Sequence, residues 1–142
     1  MTTIYKIDPK LNLIYYAGFG LCTSSEFLLL EREAFKDPLR VQNMKIILDL
    51  RYTEVDVDLD DLRTLANLNR QLIKDGRTPE KTAIISINTF MSTLEGIYNL
   101  FADDIPVQVR VFNQLKDALK WLGLSDVEEQ IDQISKSYLR EH

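Results

Sequence analysis

Four apolar runs of strand-like character, each followed by a stretch whose apolar residues recur every three to four positions, constrain this chain more than any other feature. The runs are residues 11–18, 44–50, 82–87 and 107–112, and the helical periods are residues 24–36, 60–74, 89–102 and 114–122. Strands that alternate with helices in this way join by right-handed crossovers onto a largely parallel sheet. A further β-type run, residues 2–7, precedes the first. Asp8, Pro9 and Lys10 lie between the two and favour a turn, so the chain is expected to open on an antiparallel hairpin. A last amphipathic stretch, residues 126–139, gives the predicted order ββαβαβαβαα.

The ends of these segments carry their own signals. Thr23 stands three residues before Glu26, a capping box for the first helix, and Asp37-Pro38 stops it. Gly76 follows the second helix, with Thr78-Pro79 breaking the chain behind it, and Gly123 closes the fourth. Asn113 is placed to cap that fourth helix, and Ser125 with Glu128 forms a second capping box for the last one. The stretch between Leu50 and Asp60 reads as a polar loop.

Within the strands, Ile46, Leu48 and Leu50 alternate with Lys45, Ile47 and Asp49, and Val109 and Val111 with Gln108 and Arg110. Partial alternation means that the two sheet faces are covered unequally. Strands that follow one another in space put all their right-handed crossovers on one side. The expected architecture is a singly wound βα superhelix.

At 142 residues, with 45% hydrophobic and 27% charged side chains, the chain suits a single folded domain. Its net charge of −5 opposes polyanions and argues against nucleic acid as a partner. No apolar run reaches the roughly 20 residues that a membrane helix needs, and the first residues lack the pattern of a secretory signal. Cys22 is the only cysteine, so no internal disulfide forms, and the expected location is cytoplasmic.

The segment VQVRVFNQLKDALKWLG, residues 107–123, resembles the closing signature of the SpoIIAA-like group of STAS-related proteins. There a strand ends in Val-Phe, and a helix closes with Ala-x-x-Trp-Leu, here Ala118, Leu119, Lys120, Trp121 and Leu122. The element order agrees over residues 2–123, with residues 124–142 as a helical extension. The resemblance implies a STAS/SpoIIAA-like fold, shared with Sec14-like lipid-transfer domains. It also implies a non-enzymatic regulatory module that binds a protein partner, with an apolar small molecule or lipid as the alternative. Anti-sigma-factor antagonists of that group carry a phosphorylatable serine after a central strand. The corresponding connection here, residues 49–58, has no serine and offers only Thr53 as an aliphatic hydroxyl.

Open α/β sheets bind ligands at the carboxyl ends of their strands, which points to Arg51, Tyr52, Thr53, Asn88, Thr89 and Phe90 as the ligand or partner site, with Thr53 as the phosphorylation candidate. The segment from Thr89 to Phe101 is apolar nearly all round, which implies a deeply buried core helix and, if there is a greasy ligand, the place to look for it. Gly18 and Gly20 lie in the connection that leads to the first helix, where a phosphate could sit. The third glycine of a dinucleotide fingerprint is replaced by Thr23, so a tight turn is the expectation.

Cys22 precedes a helix start, which can activate a thiol, but His142 is the only histidine and a buried, inert cysteine is expected. Asp56, Asp58, Asp60 and Asp61 lack the glycine and glutamate of a calcium loop and suit the positive end of a helix. No metal, cofactor or catalytic residue is expected. Asn69 falls on the core face of its helix and needs a hydrogen-bond partner. Val127, Ile131, Ile134 and Tyr138 form a narrow stripe on the last helix. That stripe is suited to docking on the chain's own sheet or, in a homodimer, on a second copy.

Overall fold

The computed structural model describes residues 2–41, 43–76, 81–106 and 108–141. Thr78-Pro79, Val107 and His142 lie outside them. The hairpin forms as expected: β1 (Thr2–Asp8) pairs antiparallel with β2 (Leu13–Thr23), Asp8 opposite Leu13. Asp8 closes the turn by accepting the backbone N–H groups of Lys10 and Leu11 on Oδ1 at 3.0 and 3.2 Å.

Beyond the hairpin the chain runs through α1 (Ser24–Lys36), β3 (Lys45–Asp49), β4 (Thr53–Asp56), α2 (Leu59–Lys74), β5 (Lys81–Ile85) and α3 (Phe90–Phe101). It ends with β6 (Gln108–Phe112), α4 (Leu115–Leu122), a 3₁₀ turn (Ser125–Val127) and α5 (Glu128–Glu141). The sheet order is β1-β2-β3-β5-β6, parallel at every pair after the first.

Two expectations need correction around β2. The strand does not end at Gly18 but continues to Thr23, and the polar loop after Leu50 contains a strand, β4, that pairs in parallel with this extension. Gly20 makes the change of partner possible. Its φ of 78° turns the strand where pairing passes from β3 to β4, and its N–H donates to Tyr52 O at 3.0 Å. Gly18 leaves room for neighbouring side chains: a Cβ there would lie 2.7 Å from Phe27 Cζ and 3.1 Å from Cys22 Sγ, so the Phe27 ring would have to shift.

The caps were legible in part. Thr23 Oγ1 accepts Glu26 N–H at 3.2 Å, and Asp58 with Asp61 makes a reciprocal capping box at the start of α2. Asn113 is not the cap of α4; Gln114 occupies that position without a side-chain bond. Ser125 opens the 3₁₀ turn instead of capping α5.

The three crossover helices cover one face of the sheet, as a singly wound superhelix demands. Leu30 and Ala34 of α1 pack with Ile14, Tyr16 and Ile46, while Leu62 and Ala66 of α2 pack with Leu94 and Tyr98 of α3. The other face is not left thin. Helix α4 follows the last strand and is free of the crossover rule, so Leu115, Ala118, Leu119 and Leu122 pack beneath Leu13, Tyr15, Ile47, Ala83 and Ile85. Helix α5 extends that cover: Ile131 is fully buried there, with Val127, Ile134 and Tyr138 partly buried beside it. The stripe predicted on this helix therefore docks on the chain's own sheet.

Candidate functional site

At the carboxyl end of β3 the chain buries a charge. Asp49 is 0% exposed, on the face covered by α4 and α5. An isolated carboxylate there would be very costly, and four hydrogen bonds meet it. Oδ1 accepts from Arg51 N at 3.1 Å and Arg51 Nε at 2.9 Å. Oδ2 accepts from an Arg51 terminal nitrogen at 2.7 Å and from the Tyr15 hydroxyl at 2.6 Å.

Arg51 also reaches Asp132 of α5 at 3.3 Å, so the guanidinium ties the last helix to the sheet. Burial opposes the charge on Arg51, but the hydrogen bonds and charge of Asp49 outweigh it and hold the guanidinium protonated above its ordinary range. Tyr15 is shifted upward too, first by burial, then by the Asp49 charge and hydrogen bond.

Tyr15 therefore keeps its proton in the folded state at pH values where the unfolded chain releases it. Its contribution is fully present below pH about 10 and is lost as pH rises toward the folded value, at roughly 1.4 kcal/mol per pH unit for one proton. Urea unfolding of the wild type and Tyr15→Phe between pH 9 and 11.5 checks this: the variant is expected to show the shallower alkaline decline. Equal slopes would show that Tyr15 ionises in place.

The residues expected at the strand ends have different surroundings. Tyr52 lies parallel to Phe19 at 6.0 Å between centroids, and Phe19 in turn stacks on Tyr138 at 4.3 Å. Thr53 sits in β4 and its hydroxyl donates to Gly20 O at 2.7 Å. Asn88 accepts Phe90 N–H at 3.0 Å and so shapes the entry to α3, where Thr89 holds the cap position without a side-chain bond. Phe90 is 55% exposed and Ile87 beside it 74%.

Neither glycine of the Gly18–Gly20 pair lies at a strand-to-helix turn, since β2 runs through both. Cys22 is buried, its Sγ 3.7 Å from the carbonyl oxygens of Thr2 and Phe19. Arg70 of α2 grips Asp104 with two bonds of 2.7 and 2.8 Å.

A pocket of about 180 Å³ opens between the crossover helices and the sheet. Its floor is the alternate strand face, Tyr16, Ile46, Leu48, Ile84 and Val109. Leu28 of α1, Leu62 and Leu65 of α2, and Met91 and Leu94 of α3 wall it. Asn69 lines it and donates to the Tyr98 hydroxyl at 2.6 Å, which provides the partner its buried amide requires.

Helix α3 buries only Leu94 and Tyr98 fully, so it is not the deeply buried core helix expected by default; it walls the cleft through Met91, Leu94 and Tyr98. Arg51, Tyr52, Asn88, Thr89 and Phe90 are not among its lining residues. β4 pairs with β2 while β5 pairs with β3, and Val55 of β4 and Ile84 of β5 both line the space, a divergence that no short-range pattern announces.

No family model and no curated protein matches the sequence. Among solved structures, the chain is similar to the crystal structure of an uncharacterized protein of the DUF3478 family with a SpoIIAA-like fold, from Shewanella loihica PV-4. The identity is 17% and the TM-score 0.55, over 84% of this chain and 93% of that one. The fold is SpoIIAA-like.

The closing segment of this SpoIIAA-like chain serves as packing. Phe112 and Trp121 approach to 5.6 Å between centroids, and Trp121 is flanked by Arg110 at 5.5 Å and Lys81 at 5.0 Å. In the SpoIIAA-like connection after β3, the one aliphatic hydroxyl, Thr53, is bonded across to β2. No helix among the described residues is long and apolar enough to cross a membrane.

Proposed function

We propose that this protein is a non-catalytic binding module of SpoIIAA-like fold that takes up a small apolar molecule between its crossover helices and its sheet. The observation that carries this reading is the pocket of about 180 Å³ with its aliphatic floor and walls. An apolar cavity of about 150 Å³ can hold a benzene molecule, so this one suits a single ring or a short chain and is too small for a diacyl lipid. Residues 1–142 act in this reading as one cytoplasmic domain.

The methionine methyl groups offer a direct test. Met91 lines the pocket, whereas Met44 is buried in the cluster under α1 and serves as a control. With 13C-labelled methionine, ethylbenzene is expected to shift the Met91 signal saturably and leave Met44 in place, with a dissociation constant on the order of 10 μM to 1 mM. Ile84→Phe fills the floor and is expected to abolish the shift. An unmoved Met91 signal removes the proposal.

Protein–protein interaction is the second reading, favoured by the exposed pair Ile87 and Phe90 beside Asn88 and Thr89. If that surface joins two copies, replacing both apolar residues by serine lowers the mass at sedimentation equilibrium. A monomer in both forms removes the homodimer version.

A further inference from the structure

The charges around the pocket select among small apolar molecules. Each crossover helix contributes one carboxylate to the lining: Glu31 from α1, Asp61 from α2 and Glu95 from α3. No lysine, arginine or histidine stands among the described lining residues. Arg40 balances Glu31 at 3.1 Å, whereas no described cation forms an ion pair with Asp61 or Glu95.

Among the described residues, the hydrogen bonds that these two carboxylates accept come from backbone N–H groups. Glu95 Oε2 accepts from Val111 at 3.0 Å and Asp61 Oδ2 from Asp58 at 3.0 Å. An ionised carboxylate has about four acceptor positions, so both keep capacity for a donor entering the pocket. The remaining polar groups, the Asn69 amide and the hydroxyls of Tyr16, Ser24, Thr82 and Tyr98, carry no formal charge. Within apolar walls a negative potential repels a carboxylate ligand and attracts an ammonium more strongly than it would in water.

Resting on the pocket reading above, we infer that the ligand is a small amphiphile with one apolar ring or short chain and a protonated amine end. The apolar body lies on the strand face, and the ammonium donates to Glu95 or Asp61. An anionic fatty acid or aryl carboxylate of the same size is disfavoured by the same charges.

Three probes of similar size separate the two parts of the inference: 2-phenylethylamine, ethylbenzene and phenylacetate, each titrated against the Met91 methyl signal. The amine is expected to bind roughly tenfold or more tightly than phenylacetate. Glu95→Gln keeps an acceptor for Val111 N–H, and it is expected to reduce that preference several-fold, with the ethylbenzene titration of the same variant reporting any change in the pocket itself. Asp61→Asn serves as the second variant. Phenylacetate binding as tightly as the amine, or a preference that survives both substitutions, overturns the inference and leaves the pocket reading standing. Binding by none of the three overturns both.

Discussion

Arg51→Met is expected to lower the free energy of unfolding by about 3–5 kcal/mol, the range seen when one member of a buried ion pair is removed. The carboxylate of Asp49 is wholly inaccessible, and without the guanidinium the donors that still reach it among the described residues are the backbone N–H of residue 51 and the Tyr15 hydroxyl. Methionine fills much of the same volume, so the loss reports the orphaned charge more than a cavity.

Two companion variants sharpen the reading. Asp132→Ala removes a partner that is 29% exposed and 3.3 Å away, and it should cost no more than about 1 kcal/mol. The double variant Asp49→Leu with Arg51→Met removes both charges and should recover most of the loss. Urea denaturation of the four proteins measures all of this. A single-variant loss below about 1 kcal/mol would mean that water reaches Asp49 and that the network is not a structural anchor.

Ile131→Ala should cost about 2–5 kcal/mol. Ile131 is 1% exposed and is the deepest apolar anchor of α5 on the face formed by β2, β3 and β5. Truncation leaves a void that the sheet backbone cannot collapse to fill, whereas Ile134, only partly buried, has neighbours free to relax and should lose less on the same change. Because α5 also covers Phe19 through Tyr138, loosening it should weaken near-ultraviolet circular dichroism before global unfolding. A loss under about 1 kcal/mol would show α5 to be a weakly held flap.

Arg51 illustrates how much of the site the residues disclosed on their own. Its position at a strand end marked it for ligand or partner binding. Its partner Asp49 is two residues away, yet nothing in that spacing showed that both would turn to the covered face with Tyr15 below and Asp132 above. Asn69 was the more transparent case: an amide on an apolar helix face had to meet a polar group, and Tyr98 is that group. The carboxylates of the pocket carried no signal, because Glu31, Asp61 and Glu95 sit on three separate helices at positions where solvated acids are common.

Periodicity and caps are local quantities, set by side-chain volume and by hydrogen bonds within four residues. They determined the hairpin, the order of every strand and helix except β4, the handed crossovers and so the singly wound sheet. The stripe on α5 likewise had only apolar surface to meet. Strand β4 and the pocket depend on pairing across 33 residues, between Gly20 and Thr53, and on where that ladder parts from β5. Such pairings are chosen by the packing of the whole chain, since a four-residue strand has too little propensity of its own to form alone. Tertiary structure therefore decided which face buries Asp49 and where space is left for a ligand.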